Sequence, residues 1–488
     1  MSFTDIIALV IGAWLFYQLA QAIYNVFFHP LSKYPGPLIG RITSIPCSYH
    51  TIRGRQHYYA KSLFDKYGPV VRTSPNTLGF ISAQAGKDIY THRNSSGAMI
   101  GKAWEYYRTP GMASTMFSSE PKPHAALRKS VNPSFSERSM RAQEPVIGEY
   151  VDLLVRRLRE AGNGGQKALN MKDWYTFTTF DVIGKLAFSS DFGCLEGSNY
   201  HPWVHMVNRA LLNSTILNEL KRLTTKHLMT ILNLSGTAKN TQERLNITGA
   251  MLSKRMEAGS QPDFMDPFIQ GKDKLNLDFD HLKSNADMFV VAGSETTATL
   301  LTGATYLLLT NPAVYEKVVA EVRSSFASDD EITLTSVNKL TYMLACLNET
   351  LRRYPPAASW LPRMINRGDA IIDGNVVPQG CVVSVYIYSS HMSEYNFTDP
   401  EGFHPERFLG DSRFANDHLE ALRPFSVGPY DCIGRNLAYA EMRLILARVL
   451  FNFDLRLSDD SKDWLKDQRA YGVWDKPDLY AYLTPVSY

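Results

Sequence analysis

Cys432 stands where a glycine-containing loop, Phe425-Ser426-Val427-Gly428-Pro429-Tyr430-Asp431-Cys432-Ile433-Gly434, runs into a long apolar helix. A thiol at that junction meets the free N–H groups and positive dipole of a helix start, which favour the thiolate. Gly428 and Gly434 lack Cβ atoms, so the backbone can turn sharply and lie close to a flat ligand. A thiolate set against a planar iron macrocycle pushes electron density toward O–O cleavage. The same cysteine also reads as a small buried core residue. One cysteine and two glycines do not specify a haem.

Other residues carry chemistry at helical spacing. Glu295 and Thr296 sit in Ala292-Gly293-Ser294-Glu295-Thr296-Thr297, inside an otherwise apolar stretch where an unpaired charge is costly. Gly293 there costs about 1 kcal/mol relative to alanine. Either close packing on a neighbouring element or room for a small ligand would compensate. Glu349 and Arg352, at i and i+3, share one helix face; as an exposed pair they contribute only about 0.2–0.5 kcal/mol. Gly97-Ala98-Met99-Ile100-Gly101-Lys102 is one residue short of a phosphate loop and lacks the following Ser or Thr.

Three helices must position these groups. One runs from Asp278 to Thr310, apolar on nearly all sides and therefore buried, and ends before Asn311-Pro312. A second spans Val337–Tyr354, stopped by Pro355-Pro356, and a third begins just after Cys432 and continues through Phe451. Short β-like runs occur at Val70–Thr73, Leu78–Ile81 and Val382–Tyr388, and Asp263–Leu277 reads as an exposed polar loop. With no second linker or repeat, the expected fold class is mainly α with a minor β-sheet.

At 488 residues the chain could hold several domains, yet its composition, 44% hydrophobic and 20% charged, is that of an ordinary globule. A formal charge of +3 gives no case for nucleic-acid binding. The five cysteines, at 47, 194, 346, 381 and 432, form no CxxC pair, which suits a reducing compartment. Ile6–Phe28 runs 23 residues without a charge, about 35 Å as a helix, enough to cross a hydrocarbon core of about 30 Å. Ala20-Gln21-Ala22 has the form of a signal-peptide cleavage site, but no basic residue precedes the run and it continues past that site. An uncleaved single N-terminal transmembrane helix is therefore expected. Lys33 and Arg41 after it place the rest in the cytoplasm, so the six Asn-x-Ser/Thr triplets are not glycosylation sites. Three prolines between Pro30 and Pro37 predict a stiff spacer. The expected division is thus an anchor over residues 1–28, a spacer over 29–37 and a catalytic domain over 38–488.

The Cys432 loop resembles the haem-binding signature of the cytochrome P-450 family, Phe-x-x-Gly-x-Arg-x-Cys-x-Gly. Ala292–Thr297 is similar to the family's oxygen-activation motif. Glu349-Thr350-Leu351-Arg352 resembles its Glu-x-x-Arg, and Pro405-Glu406-Arg407-Phe408 the segment that completes an ion-pair triad. All four occur in the family's order. The resemblance implies a cytochrome P-450 fold with haem b (iron protoporphyrin IX), Cys432 as the metal ligand, and Phe425, Gly428, Tyr430 and Gly434 against the cofactor. It further implies that Glu295 and Thr296 deliver protons, and that His124, Arg128 and Arg363 hold the haem carboxylates. Glu349, Arg352 and Arg407 would form a buried structural network. Tyr430 departs from the signature, which has arginine there; tyrosine can donate a hydrogen bond but carries no charge.

The implied reaction is a monooxygenation of a small lipophilic substrate. Electrons would come from NADPH through a separate NADPH-cytochrome reductase, at the endoplasmic reticulum membrane. Lys122, Arg128, Lys129 and Arg435 would be either a docking patch for that reductase or a solvated face. Ser96–Phe117, the Ala292 helix, Ala357–Leu361 and Ala470–Trp474 would line the substrate pocket. The proline segment, His124 and the Tyr430 loop resemble filamentous-fungal members of secondary metabolism, including trichothecene hydroxylases. Desaturation, ring closure and hydroperoxide isomerisation are alternatives within the same chemistry; a haem sensor or carrier is one outside it.

Overall fold

The structure, a computed structural model, describes residues 2–91, 94–108, 112–223 and 237–486. In chain order, the elements that position the site begin with α1 (Phe3–Ile23), extended by a π-helical turn over Tyr24–Phe28. Strands β1 (Val70–Ser74), β2 (Thr77–Phe80) and β3 (Met99–Lys102) come next. Helices α2 (Pro121–Val131), α3 (Met171–Phe188), α4 (Phe279–Leu309) and α5 (Thr341–Arg353) follow. Strands β4 (Arg363–Arg367) and β5 (Val382–Val385) precede α6 (Arg435–Asn452) and the hairpin β6 (Arg469–Tyr471) and β7 (Val473–Asp475).

The core is helical. α4, 31 residues and about 46 Å long, is capped by Asp278, whose side chain accepts the His281 N–H at 2.9 Å. It packs chiefly along α3 and also against α5 and α6. Gly293 is small because Ile183 of α3 presses there: an added Cβ would lie 2.7 Å from its Cδ1. Helix packing, not space for a ligand, accounts for that glycine. α5 starts four residues later than Val337, since Ser336–Lys339 is a 3-10 turn. Asn348, one of the triplet asparagines, lies within α5; Asn233 lies outside the described residues.

The larger sheet has the order β1-β2-β5-β4-β3, parallel only between β2 and β5. The run expected to extend to Tyr388 turns into a short helix at Ile387. Only the second half of Asp263–Leu277, around Lys272–Lys274, is exposed, and it is helical rather than a loop. Phe264, Met265 and Phe268 are buried, and Arg255 ties Asp263 and Asp266 beneath two short helices. Its polar residues mask an apolar set at helical spacing.

No residue of α1 is buried, and Phe3–Phe28 is the single helix among the described residues long and apolar enough to cross a membrane. The proline segment after it lies against the globule: Leu31 and Tyr34 are buried, and the Tyr34 hydroxyl donates to the Val376 carbonyl at 2.9 Å.

Candidate active site

Before α6 the chain forms a hook. The Cys432 N–H donates to the Phe425 carbonyl at 2.8 Å, Ser426 takes φ of 57°, and Gly428–Tyr430 make a 3-10 turn. Gly428 has φ of 80°, and an added Cβ would overlap the Tyr90 carbonyl oxygen. Its missing side chain therefore admits a neighbouring backbone, where a flat ligand had been expected. Gly434 differs: an added Cβ would approach only Cys432 Sγ, at 3.9 Å, so that side of the loop is clear.

Cys432 is exposed, and no residue from Leu422 to Gly434 is fully buried, although Phe425 and Ile433 pack on the main core. Enough protein nevertheless surrounds the thiol that burial pushes its pKa up, outweighing the Gly434 N–H and Arg128, which pull it down. The helix start alone does not make a thiolate here; a coordinated cation would. Cys194, Cys346 and Cys381 are buried core thiols, while Cys47 is half-buried.

On α4, Ala292 is exposed and Thr296 half-buried, whereas the turns that follow are closed. The Thr296 hydroxyl donates to the Ala292 carbonyl at 2.7 Å. Glu295 is 2% exposed, and its carboxylate accepts from Lys476 Nζ at 2.8 Å; Lys476 also donates to Thr299. The acid and the hydroxyl are thus neighbours in sequence with separate partners. Lys476, just beyond β7, was not singled out from the sequence, because nothing in its spacing links it to α4.

Around Tyr430 the structure gathers basic side chains. His124 is buried with its ring 4.5 Å from that of Tyr430; burial, with Lys102 and Arg128 nearby, lowers its pKa to about 4. Arg363 lies over the Tyr430 ring at 5.4 Å and donates to the Tyr107 hydroxyl at 2.5 Å. Arg128 instead spans to the hook, donating to the Asp431 carbonyl at 2.5 Å and its carboxylate at 2.6 Å. An accessible thiol, a clear glycine and an Arg363 without an acidic partner among the described residues fit an iron porphyrin with its two carboxylates.

The comparison with known families agrees. The cytochrome P450 family matches residues 30–483. The chain belongs to the cytochrome P-450 family. It is similar to the cytochrome P-450 monooxygenase tpeC of Talaromyces stipitatus, 46% identical over 98% of this chain and 94% of that one. It is 40% identical to prhB of Penicillium brasilianum, over 98% of both chains. The trichothecene C-15 hydroxylase of Fusarium sporotrichioides is 40% identical over 99% of both.

The P-450 triad is assembled and fully buried. Arg352 makes two bonds of 2.8 Å to Glu349, and Arg407 approaches the same carboxylate at 3.0 Å. Asp417 pairs with Arg407, giving two cations and two anions, and the remaining Arg352 donors reach the carbonyls of His391, Pro400 and Gly402. Arg352 thus has every donor satisfied, which is what makes its buried charge tolerable.

Beside α4 opens a cavity of about 600 Å³, walled by Tyr106, Tyr107, Phe117 and Met288 of α4, with Arg108 and Glu120 on its polar side. Two of the four expected lining segments contribute. Ala357–Leu361 and Ala470–Trp474 do not border this cavity.

Proposed function

We propose that this cytochrome P-450 is a membrane-anchored haem-thiolate monooxygenase acting on a small lipophilic metabolite, in a pathway like those of its fungal relatives. The observation that carries this reading is the accessible Cys432 thiol at the foot of α6. In the overall reaction one oxygen atom enters a substrate C–H bond. The other leaves as water, at the cost of two electrons and two protons. NADPH would supply the electrons through a separate reductase, for which exposed Lys122, Lys129 and Arg435 offer a basic surface. Lys33 and Arg41, following the span, favour a cytoplasmic catalytic domain at the endoplasmic reticulum.

Haem, when bound, supplies the oxygen activation. The chain's own residues hold and protect it. Cys432 Sγ would ligate the iron, with Phe425 and Gly434 against the macrocycle and His124, Arg128 and Arg363 toward its carboxylates. Thr296 Oγ1, half-buried and donating to the Ala292 carbonyl, would hold a proton for the reaction. Glu295, held as a carboxylate by Lys476, would relay the proton that refills it. The cavity at Tyr106–Phe117 would give a lipophilic substrate aromatic surface, with Arg108, Glu120 and nearby hydroxyls as polar contacts.

The test is spectroscopic. The purified, reduced protein with carbon monoxide is expected to show the red-shifted Soret band of thiolate ligation, and Cys432→Ala to lose it. Retention of that band in the variant would overturn the assignment.

A further inference from the structure

Lys102 ends β3 directly opposite Arg363 of β4 in the antiparallel register. Residues so paired project to one face, and like charges there repel. Both reach the same ring: Lys102 Nζ lies 4.4 Å from the Tyr430 centroid and Arg363 Cζ 5.4 Å. Lys102 is 3% exposed, with Tyr107 and Phe117 rings 5.2 and 4.9 Å from its ammonium. An ammonium has three donors. Among the described residues this one donates to a single acceptor, the Phe117 carbonyl. Neither Lys102 nor Arg363 has a carboxylate partner among the described residues. A buried, unpaired cation beside a second one is costly, and burial with Arg363 lowers the Lys102 pKa to about 7. The pair lacks an anion.

We infer that Lys102 is a further charged ligand for the haem carboxylates, standing in for the arginine that the family signature has where this chain has Tyr430. The inference rests on the haem-thiolate reading above. Tyr430 is then a platform: its ring face holds Lys102 and Arg363 through cation–π attraction, while an arginine there would crowd both. The charge has moved from the cysteine hook to the sheet, so the anchoring capacity is kept.

Haem transfer to excess apo-globin, from the full-length haem-loaded protein, tests this. Lys102→Met is expected to lose haem about tenfold faster or more, the loss of a charge-assisted hydrogen bond, while keeping the thiolate Soret band. Lys102→Arg should stay near the unmodified protein, and adding Tyr430→Arg to Lys102→Met should recover most of the loss. Reconstitution with haem dimethyl ester separates carboxylate binding from packing: with it, Lys102→Met and the unmodified protein should lose cofactor at equal rates. Lys102→Gln gives the same comparison should methionine not be accommodated. Unchanged haem loss in Lys102→Met would overturn the inference, as would weakened binding of anionic substrates alone or a rate gap that persists with the ester. Absence of the thiolate band from the unmodified protein would instead overturn the haem-thiolate reading.

Discussion

Lys476 Nζ lies 2.8 Å from the Glu295 carboxylate, and both side chains are almost wholly buried. The acid of α4 is therefore held from outside its helix, by a residue that follows the β6–β7 hairpin. Removing one partner of such a pair leaves a buried charge uncompensated, at about 3–5 kcal/mol. Lys476→Met is expected to destabilise the protein by that order in urea unfolding. Adding Glu295→Gln should return most of it. Additive effects of the two substitutions would show that the pair is not coupled.

Thr296 is the other half of the motif. Thr296→Ala should keep haem and substrate binding but divert reducing equivalents to hydrogen peroxide, with product per NADPH falling about tenfold or more. Thr296→Ser, which keeps the hydroxyl, should lie near the parent. Peroxide and product measured together per NADPH consumed check this; an unchanged ratio in Thr296→Ala would mean that another group delivers the protons.

Glu441 of α6 is 1% exposed, neither oxygen has a well-formed hydrogen bond, and burial pushes its pKa up to about 8 despite Thr297 nearby. Between the usual carboxylate range and pH 8 the folded protein keeps this proton while the unfolded chain releases it. Stability contributed by the group must then fall as pH rises through that window, by at most about 1.4 kcal/mol per pH unit. Glu441→Gln should flatten the decline between pH 6 and 8. An equally steep decline in the variant would place its cause elsewhere.

Truncation separates the anchor from the fold. Deleting residues through Ile23 should release the protein from membranes with haem incorporation intact, since no residue of α1 is buried. Deleting through Pro37 should also lower thermal stability, because it removes buried Leu31 and Tyr34. Equal melting temperatures for the two truncations would show that the proline segment does not contribute to the core.

What could be read in advance was local. The caps of α4, Asp278 and the Asn311-Pro312 stop, are written within a few residues of the helix, and the Cys432 hook carries its own glycines. Long-range partners leave no such mark. Lys476 and Lys102 meet Glu295 and Tyr430 across large sequence distances, with no periodicity to announce them. Lys102 was hidden further by standing at the end of a near-miss phosphate loop, which the structure shows as strand β3. Phe264 and Phe268 gave a helical signal that the surrounding charges obscured. Glycines were ambiguous for a general reason: absence of a Cβ does not say what fills the space. At Gly293 it is Ile183, and at Gly428 the backbone of Tyr90.

That last contact governs how the two halves of the site are spaced. The Tyr90 carbonyl fills the notch at Gly428. Its hydroxyl meets the Leu361 carbonyl and Ser384 Oγ, each at 3.1 Å, and the Val385 N–H at 3.0 Å. One residue is thus wedged between the thiol-bearing hook and the sheet that carries Lys102 and Arg363. The separation of sulfur and cations is set by hard-core contact and neutral hydrogen bonds, neither of which salt screens. Ionic strength can alter how firmly an anion is gripped here, but the caliper that measures out the gap keeps its setting.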